Sequence, residues 1–315
     1  MNKRVQGNIM LLIAALLWGT TFVAQSEGMR YVEPFTYNAV RTLIGGTVLI
    51  PVIAAFRMFS RKKEIPAENS TSRKTTVIGG ICCGVVLFAA SSLQQCGMTV
   101  TTAGKAGFIT ALYIVIVPLI ELVIYRKTNI LVWICVVIAA VGFYLLCIKE
   151  GFEISRGDLL VLCCAVFFAM HIMVIDYFNS RNADGMVLSC IQFFTAGTLM
   201  AIAMFIFESP ELKAILDAKY TILYAGIMSS GIAYTLQILG QKHTAPAAAT
   251  LIMSLESVFA ALSGWLVLHE SLSVKETAGC TLVFTAVILA QLKSSDKTAE
   301  KIISRTEKKY EKISQ

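Results

Sequence analysis

Residues 244–270, TAPAAATLIMSLESVFAALSGWLVLHE, and residues 101–127, TTAGKAGFITALYIVIVPLIELVIYRK, are two versions of one segment. Each is apolar and long enough to cross a bilayer, which takes roughly 20 helical residues. At an offset of 143 positions Thr101 meets Thr244, Ala106 meets Ala249 and Leu112 meets Leu255. The register continues backwards, pairing Leu93 with Leu236, Gln94 with Gln237 and Gly97 with Gly240. One position breaks it chemically: Tyr113 stands where the later copy has Glu256, a carboxylate in the middle of an apolar run.

The duplication reaches the start of the chain. At an offset of 150, Gly7 matches Gly157, Leu12 matches Leu162, Ala15 matches Ala165, Trp18 faces Phe168 and Thr21 faces His171. After a one-residue slip Gly46 matches Gly197 and Arg41 stands against Gln192. Single matches of this kind carry little; their common order along both halves carries the argument.

Of the 315 residues, 56% are hydrophobic and 15% charged, against about 25% charged in a soluble domain. Such a chain has too few charges to cover a water-facing surface. Its apolar runs are long and tolerate Gly and Pro, as spanning helices do; barrel strands would be short and alternating. Ten spans are predicted: 8–27, 35–57, 76–97, 102–124, 130–148, 157–178, 186–207, 219–240, 247–267 and 273–292. The first follows Lys3 and Arg4 as a signal peptide would, but its run is too long and no small-x-small cleavage site follows.

The expected fold is an all-α polytopic membrane protein of ten transmembrane helices, with the bilayer as its solvent. Most of the 27 Lys and Arg residues fall in the loops on one side, and that bias sets both termini in the cytoplasm. The net charge of +7 reflects this bias, so no nucleic-acid partner is expected. Residues 293–315 form a basic cytoplasmic tail in which Ile302, Ile303, Thr306, Tyr310 and Ile313 lie roughly on one helical side, suited to a membrane surface. Five spans per half is an odd number, so residues 157–292 enter the membrane the other way up from residues 5–148. This is the inverted-repeat plan, with a substrate site near the midplane between the halves. Near-equivalent inverted halves can exchange shapes, which favours a carrier over a receptor or an enzyme.

LLWGTTFV near the start, TTAGKAGFITALYIVIVPL in the fourth span and SLESVFAALSGWLVLHE in the ninth resemble the EamA-domain branch of the drug/metabolite transporter superfamily. The resemblance runs over residues 5–292. It implies ten helices around a cavity lined mainly by the first, third, fourth, sixth, eighth and ninth, with the fifth and tenth peripheral. It also implies export of small metabolites, amino acids or drugs. Ser257 stands where the family carries proline, so the residue that would kink the ninth span is missing; Pro118 is present in the fourth.

Charged groups inside spans cost roughly 2.5–3.5 kcal/mol on insertion scales and usually face protein or a wet cavity. Glu256 is either a structural carboxylate at a helix break or a cavity group that takes a substrate amine or a proton. Trp18, Thr21 and Gln25 share one helix face. His171, the mate of Thr21, then turns to the cavity as a titratable group or sits satisfied in the core. Gln94 and Gln237, with Ser91 and Tyr234 one turn before them, line the cavity or bond across the repeats. The expected substrate-binding set is Trp18, Thr21, Gln94, Tyr113, His171, Tyr234, Gln237 and Glu256. Arg41, with Tyr37 and Asn38 one turn earlier, is expected to snorkel outward or pair with a carboxylate in a structural role.

The partners expected are a small-molecule substrate, the cell membrane's lipid and a coupled proton; a homodimer is compatible. No cofactor is expected. The nine cysteines show no CxxC spacing, and HExxH, an Asp-rich prenyl-diphosphate motif, GxSxG and GxxxxGK are all missing from the sequence. A secondary-active exporter working by alternating access is the leading reading. An intramembrane enzyme and a non-transporting sensor or structural protein are the alternatives.

Overall fold

The computed structural model describes residues 3–61, 70–100, 103–125, 130–147, 155–268, 274–275 and 277–289. Residues 62–69 and the tail 293–315 lie outside the described residues. Among those described, every regular element is helical. In chain order they are α1 (Lys3–Gly28), α2 (Pro34–Arg61), α3 (Ser70–Gly97), α4 (Ala103–Ala111), α5 (Tyr113–Tyr125), α6 (Ile130–Cys147), α7 (Arg156–Asn179) and α8 (Gly185–Phe207). Then come α9 (Leu212–Asp217), α10 (Lys219–Tyr224), a π-helical turn (Ala225–Ala233), α11 (Tyr234–Gln241), α12 (Pro246–Met253), α13 (Leu255–Leu268) and α14 (Thr277–Leu289).

Among the described residues, six helical stretches are long and apolar enough to cross a membrane: Lys3–Gly28, Pro34–Ala55, Arg73–Gly97, Arg156–Asn179, Gly185–Phe207 and Lys219–Gln241. Shorter apolar helices lie at Ile109–Ile124, Ile130–Gly142, Pro246–Ala260 and Thr277–Leu289. Large apolar side chains such as Val123, Phe205 and Ile206 stand exposed on the outside. In water such a surface would associate; in a bilayer it is the lipid contact, with the backbone satisfied inside each helix. The chain is a polytopic membrane protein.

Helix ends explain where the chain turns. Ser155 starts α7 with a reciprocal cap: its side chain accepts from the Asp158 amide, and the Asp158 carboxylate accepts from the Ser155 amide. Asp184 caps α8 by accepting from the amides of Met186 and Val187. At the other end of α8, Glu208 accepts from the amides of Phe35 and Thr36 and from the Thr36 hydroxyl, each at 2.7 Å. Arg57, near the end of α2, meets Asp184 at 3.6 Å. The pairs Thr36–Glu208 and Arg57–Asp184 therefore fix α2 and α8 side by side and antiparallel.

Two other antiparallel crossings are set by small residues. A Cβ at Gly97 of α3 would stand 2.5 Å from Val161 Cγ2 and 2.9 Å from the Gly157 carbonyl of α7. A Cβ at Gly240 of α11 would stand 2.9 Å from Leu11 Cγ and from the Gly7 carbonyl of α1. Only glycine lets these backbones approach so closely. The main apolar core lies on the flank of α1 and α7, where α5, α6, α12, α13 and α14 bring together Ile114, Cys135, Ala139, Ile252, Val258 and Val283.

Candidate functional site

The fourth and ninth spans both break at the level where their polar residues sit. α4 ends at Ala111 and α5 begins at Tyr113, with the Leu112 amide bonding the Ile109 carbonyl in a tightened turn. α12 ends at Met253 and α13 begins at Leu255. There Ser254 turns its hydroxyl onto the Leu251 carbonyl, and the Ser257 amide bonds Ser254 three residues back. The α12–α13 segment is thus interrupted without the proline the family resemblance would place there. Serine back-bonding of this kind bends helices.

These breaks open onto a cavity. Its volume is about 40 Å³, where one water needs about 10–15 Å³. Six of the eight residues expected from sequence line it: Trp18, Gln94, Tyr113, Tyr234, Gln237 and Glu256. The Tyr113 hydroxyl donates to Glu256 Oε1 at 3.0 Å. Gln94 Nε2 donates to Thr110 Oγ1 at 3.2 Å. Tyr234 is the aromatic hub, touched edge-on by Trp18 at 4.8 Å, Phe193 at 5.8 Å and His171 at 6.0 Å between centroids.

The other two lie behind the wall. Thr21 is fully buried and gives its hydroxyl to the Leu17 carbonyl of its own helix at 2.6 Å. His171 is fully buried and shares a hydrogen bond of 3.0 Å between Nε2 and Gln192 Oε1. Neither is among the residues lining the cavity, so the helix-face argument that turned His171 inward together with Thr21 does not hold for this lining.

Repeat-matched positions recur around the wall. Trp18 and Phe168, Gln94 and Gln237, and Tyr113 and Glu256 all line it. So do two pairs that stand at the same offsets, Phe22 with Ile172 and Thr110 with Met253. Sequence reading missed Arg41 as a wall residue. It neither snorkels nor forms an ion pair among the described residues: it is 4% exposed, lines the cavity and bonds Asn38 Oδ1 through Nε at 2.8 Å. Its signal was present, since a lone charge within an apolar span is a functional candidate by default. Ser229, contributed by the π-helical turn, was also missed; nothing in the run AGIMSSGIA announces that geometry. Among the described residues no cluster of three or more His, Cys, Asp or Glu side chains gathers as a metal site.

Comparison with known proteins follows the same outline. The EamA-like transporter family matches over residues 5–148 and 155–292. An uncharacterized transporter of Archaeoglobus fulgidus is 30% identical over 295 residues, covering 92% of this chain and 87% of its own. The uncharacterized inner membrane transporter YedA of Escherichia coli is 26% identical, with 88% of each chain covered. A solved crystal structure superposes with a TM-score of 0.74 at 19% identity, covering 91% of this chain and 96% of its own, which shows a shared fold.

Proposed function

The chain belongs to the EamA-like transporter family and is a multi-pass transporter of the cell membrane; from that premise we propose a secondary-active carrier that exports small metabolites by alternating access. Two inverted five-helix repeats, residues 5–148 and 157–292, would make ten spans with both termini cytoplasmic. The observation that carries this reading is the cavity wall, to which both halves contribute matched positions. The glycine crossings support it: Gly97 on Gly157 and Val161 is the repeat image of Gly240 on Gly7 and Leu11. Two halves built alike and inverted give inward- and outward-open states of similar energy.

In this reading Trp18, Gln94, Tyr113, Tyr234, Gln237 and Glu256 contact the substrate, while Thr21 and His171 support them from behind. The chain has no GxxxxGK phosphate loop, so energy comes from a gradient. Glu256 is the proposed proton carrier, because it is a 6% exposed carboxylate on the cavity wall with Tyr113 as its donor. The test is uptake of candidate amino acids and amphipathic amines into proteoliposomes, with and without a pH gradient. A gradient that accelerates wild type and leaves Glu256→Gln unaffected is the expected result. Transport indifferent to the gradient in both proteins removes the coupling.

A further inference from the structure

Arg41 borders the cavity from α2, a helix the family resemblance does not count among the principal wall helices. Its guanidinium is buried, and a buried cation normally has a carboxylate beside it. Among the described residues Arg41 forms no ion pair, and its one hydrogen bond goes from Nε to Asn38. Asn38 is itself held, donating Nδ2 to the Ser91 carbonyl at 3.0 Å. The guanidinium carbon lies over the Tyr37 ring, 5.8 Å from its centroid. The guanidinium is therefore oriented from its Nε edge, and the two terminal nitrogens have no acceptor among the described residues. That remaining fork matches a carboxylate taken end-on.

A purely structural cation would not account for the other half. The repeat mate of Arg41 is Gln192, a neutral side chain that bonds His171 through Oε1 and is set back from the cavity. Packing at that position needs no charge. The wall also holds other polar atoms that have no partner among the described residues. Trp18 Nε1 is a donor with none; Gln25 Oε1 and Gln237 Oε1 are acceptors with none, on side chains 5% and 2% exposed. Glu256 shares the same cavity and does not pair with Arg41. A hollow with a free cation, a separate carboxylate, one free donor and two free acceptors is complementary to a molecule carrying both kinds of group.

We infer that Arg41 is an anion subsite of this cavity and that the molecules the carrier moves bear a carboxylate, which Arg41 receives end-on. The inference rests on the carrier reading above and adds the substrate class. Glu256, Gln25 and Gln237 then face the remainder of the molecule, where a substrate ammonium is accommodated.

The experiment uses the purified full-length protein and a panel of the twenty L-amino acids, their C-terminal amides and the matching simple monocarboxylates. Thermal stabilisation in detergent reads binding, and counterflow in proteoliposomes reads transport. In wild type, at least one carboxylate-bearing compound is expected to bind, and its amide to bind roughly tenfold or more weakly. This comparison needs no variant and so survives any failure of a variant to fold. Arg41→Gln is expected to lose the preference for acid over amide, and Arg41→Lys to retain part of it, because charge remains without the fork. The monocarboxylates decide whether the ammonium is also required. No binding by any carboxylate, equal binding of acid and amide, or an unchanged preference in Arg41→Gln overturns the inference. Transport of amides or amines indifferent to Arg41 sinks the anion subsite and leaves the carrier reading. Carboxylate binding without counterflow sinks the carrier reading and leaves the subsite.

Discussion

The Tyr113 hydroxyl reaches Glu256 at 3.0 Å, and these two residues stand 143 positions apart, the offset that relates the two copies of their segment. A residue that touches its own repeat mate lies on the axis relating the repeats. The proposed axis therefore passes through the cavity, between the helix breaks at Leu112 and Ser254. There the symmetry is broken chemically: one copy offers a phenol, the other a carboxylate.

This pair gives the first prediction. Tyr113→Phe keeps the ring and removes the donor, leaving Glu256 without a hydrogen bond among the described residues. An unsatisfied buried carboxylate costs about 1–3 kcal/mol. The melting temperature of Tyr113→Phe in detergent is expected to fall accordingly, and its uptake in proteoliposomes to fall below wild type. Wild-type uptake would show that the bond contributes nothing to the transport cycle.

The glycine crossings give the second. A methyl group at Gly97 or Gly240 meets backbone or the base of a side chain within 3 Å. Overpacking of this kind costs about 1–3 kcal/mol, so Gly97→Ala and Gly240→Ala should each lower the melting temperature in detergent, by similar amounts. Gly107→Ala is the control, since its Cβ would meet nothing nearer than Ser257 Oγ at 3.9 Å. Unequal losses at the two crossings would weaken their equivalence.

Much of this was legible because a bilayer imposes few solutions. Apolar length marks Lys3–Gly28 and Arg156–Asn179 as spans without any tertiary information. The offsets at Gln94, Tyr113 and Trp18 located wall residues because duplicated helices face a shared cavity in the same way. Orientation was less legible where it depends on what lies opposite. The sequence leaves His171 open between a cavity group and a core histidine; it lies behind the wall, as its mate Thr21 does, with Gln192 of the neighbouring helix meeting its ring. Arg41 was read as structural because the sequence cannot show that no carboxylate lies beside it. The interruption between α12 and α13 survives the absence of proline because Ser254 and its hydroxyl, not a ring, make the turn.

The His171–Gln192 pair gives the third prediction. Both side chains are fully buried, and each already has one further polar atom without a partner, His171 Nδ1 and Gln192 Nε2. Removing one member strands the other at a cost of about 1–3 kcal/mol, whereas replacing both with apolar groups of similar shape can be nearly neutral. His171→Phe and Gln192→Leu are each expected to destabilise, and the double variant to recover most of the loss. Uptake by the folded double variant should approach wild type if the pair acts by packing. Loss of uptake with full stability would assign His171 a role in transport itself.

Glu208 gives the fourth. Its carboxylate collects two backbone amides and a hydroxyl from the first residues of α2, each at 2.7 Å. Amides at a helix N-terminus favour a negative charge through the helix dipole, and bonds to a carboxylate are stronger than neutral ones. The clamp ties the end of α8 to the start of α2, on the face opposite the Arg57–Asp184 contact. Rocking of one half against the other must load one of these ties more than the other. Glu208→Ala removes all three acceptor contacts and is expected to weaken the state seen here; Glu208→Gln keeps an acceptor and loses the charge. Labelling of a cysteine placed at Thr36 by an impermeant maleimide reads the opening directly. The rate should rise in Glu208→Ala relative to the Glu208 background, with Glu208→Gln between the two. An unchanged rate in Glu208→Ala would mean that apolar packing of α2 on α8 alone keeps this face closed.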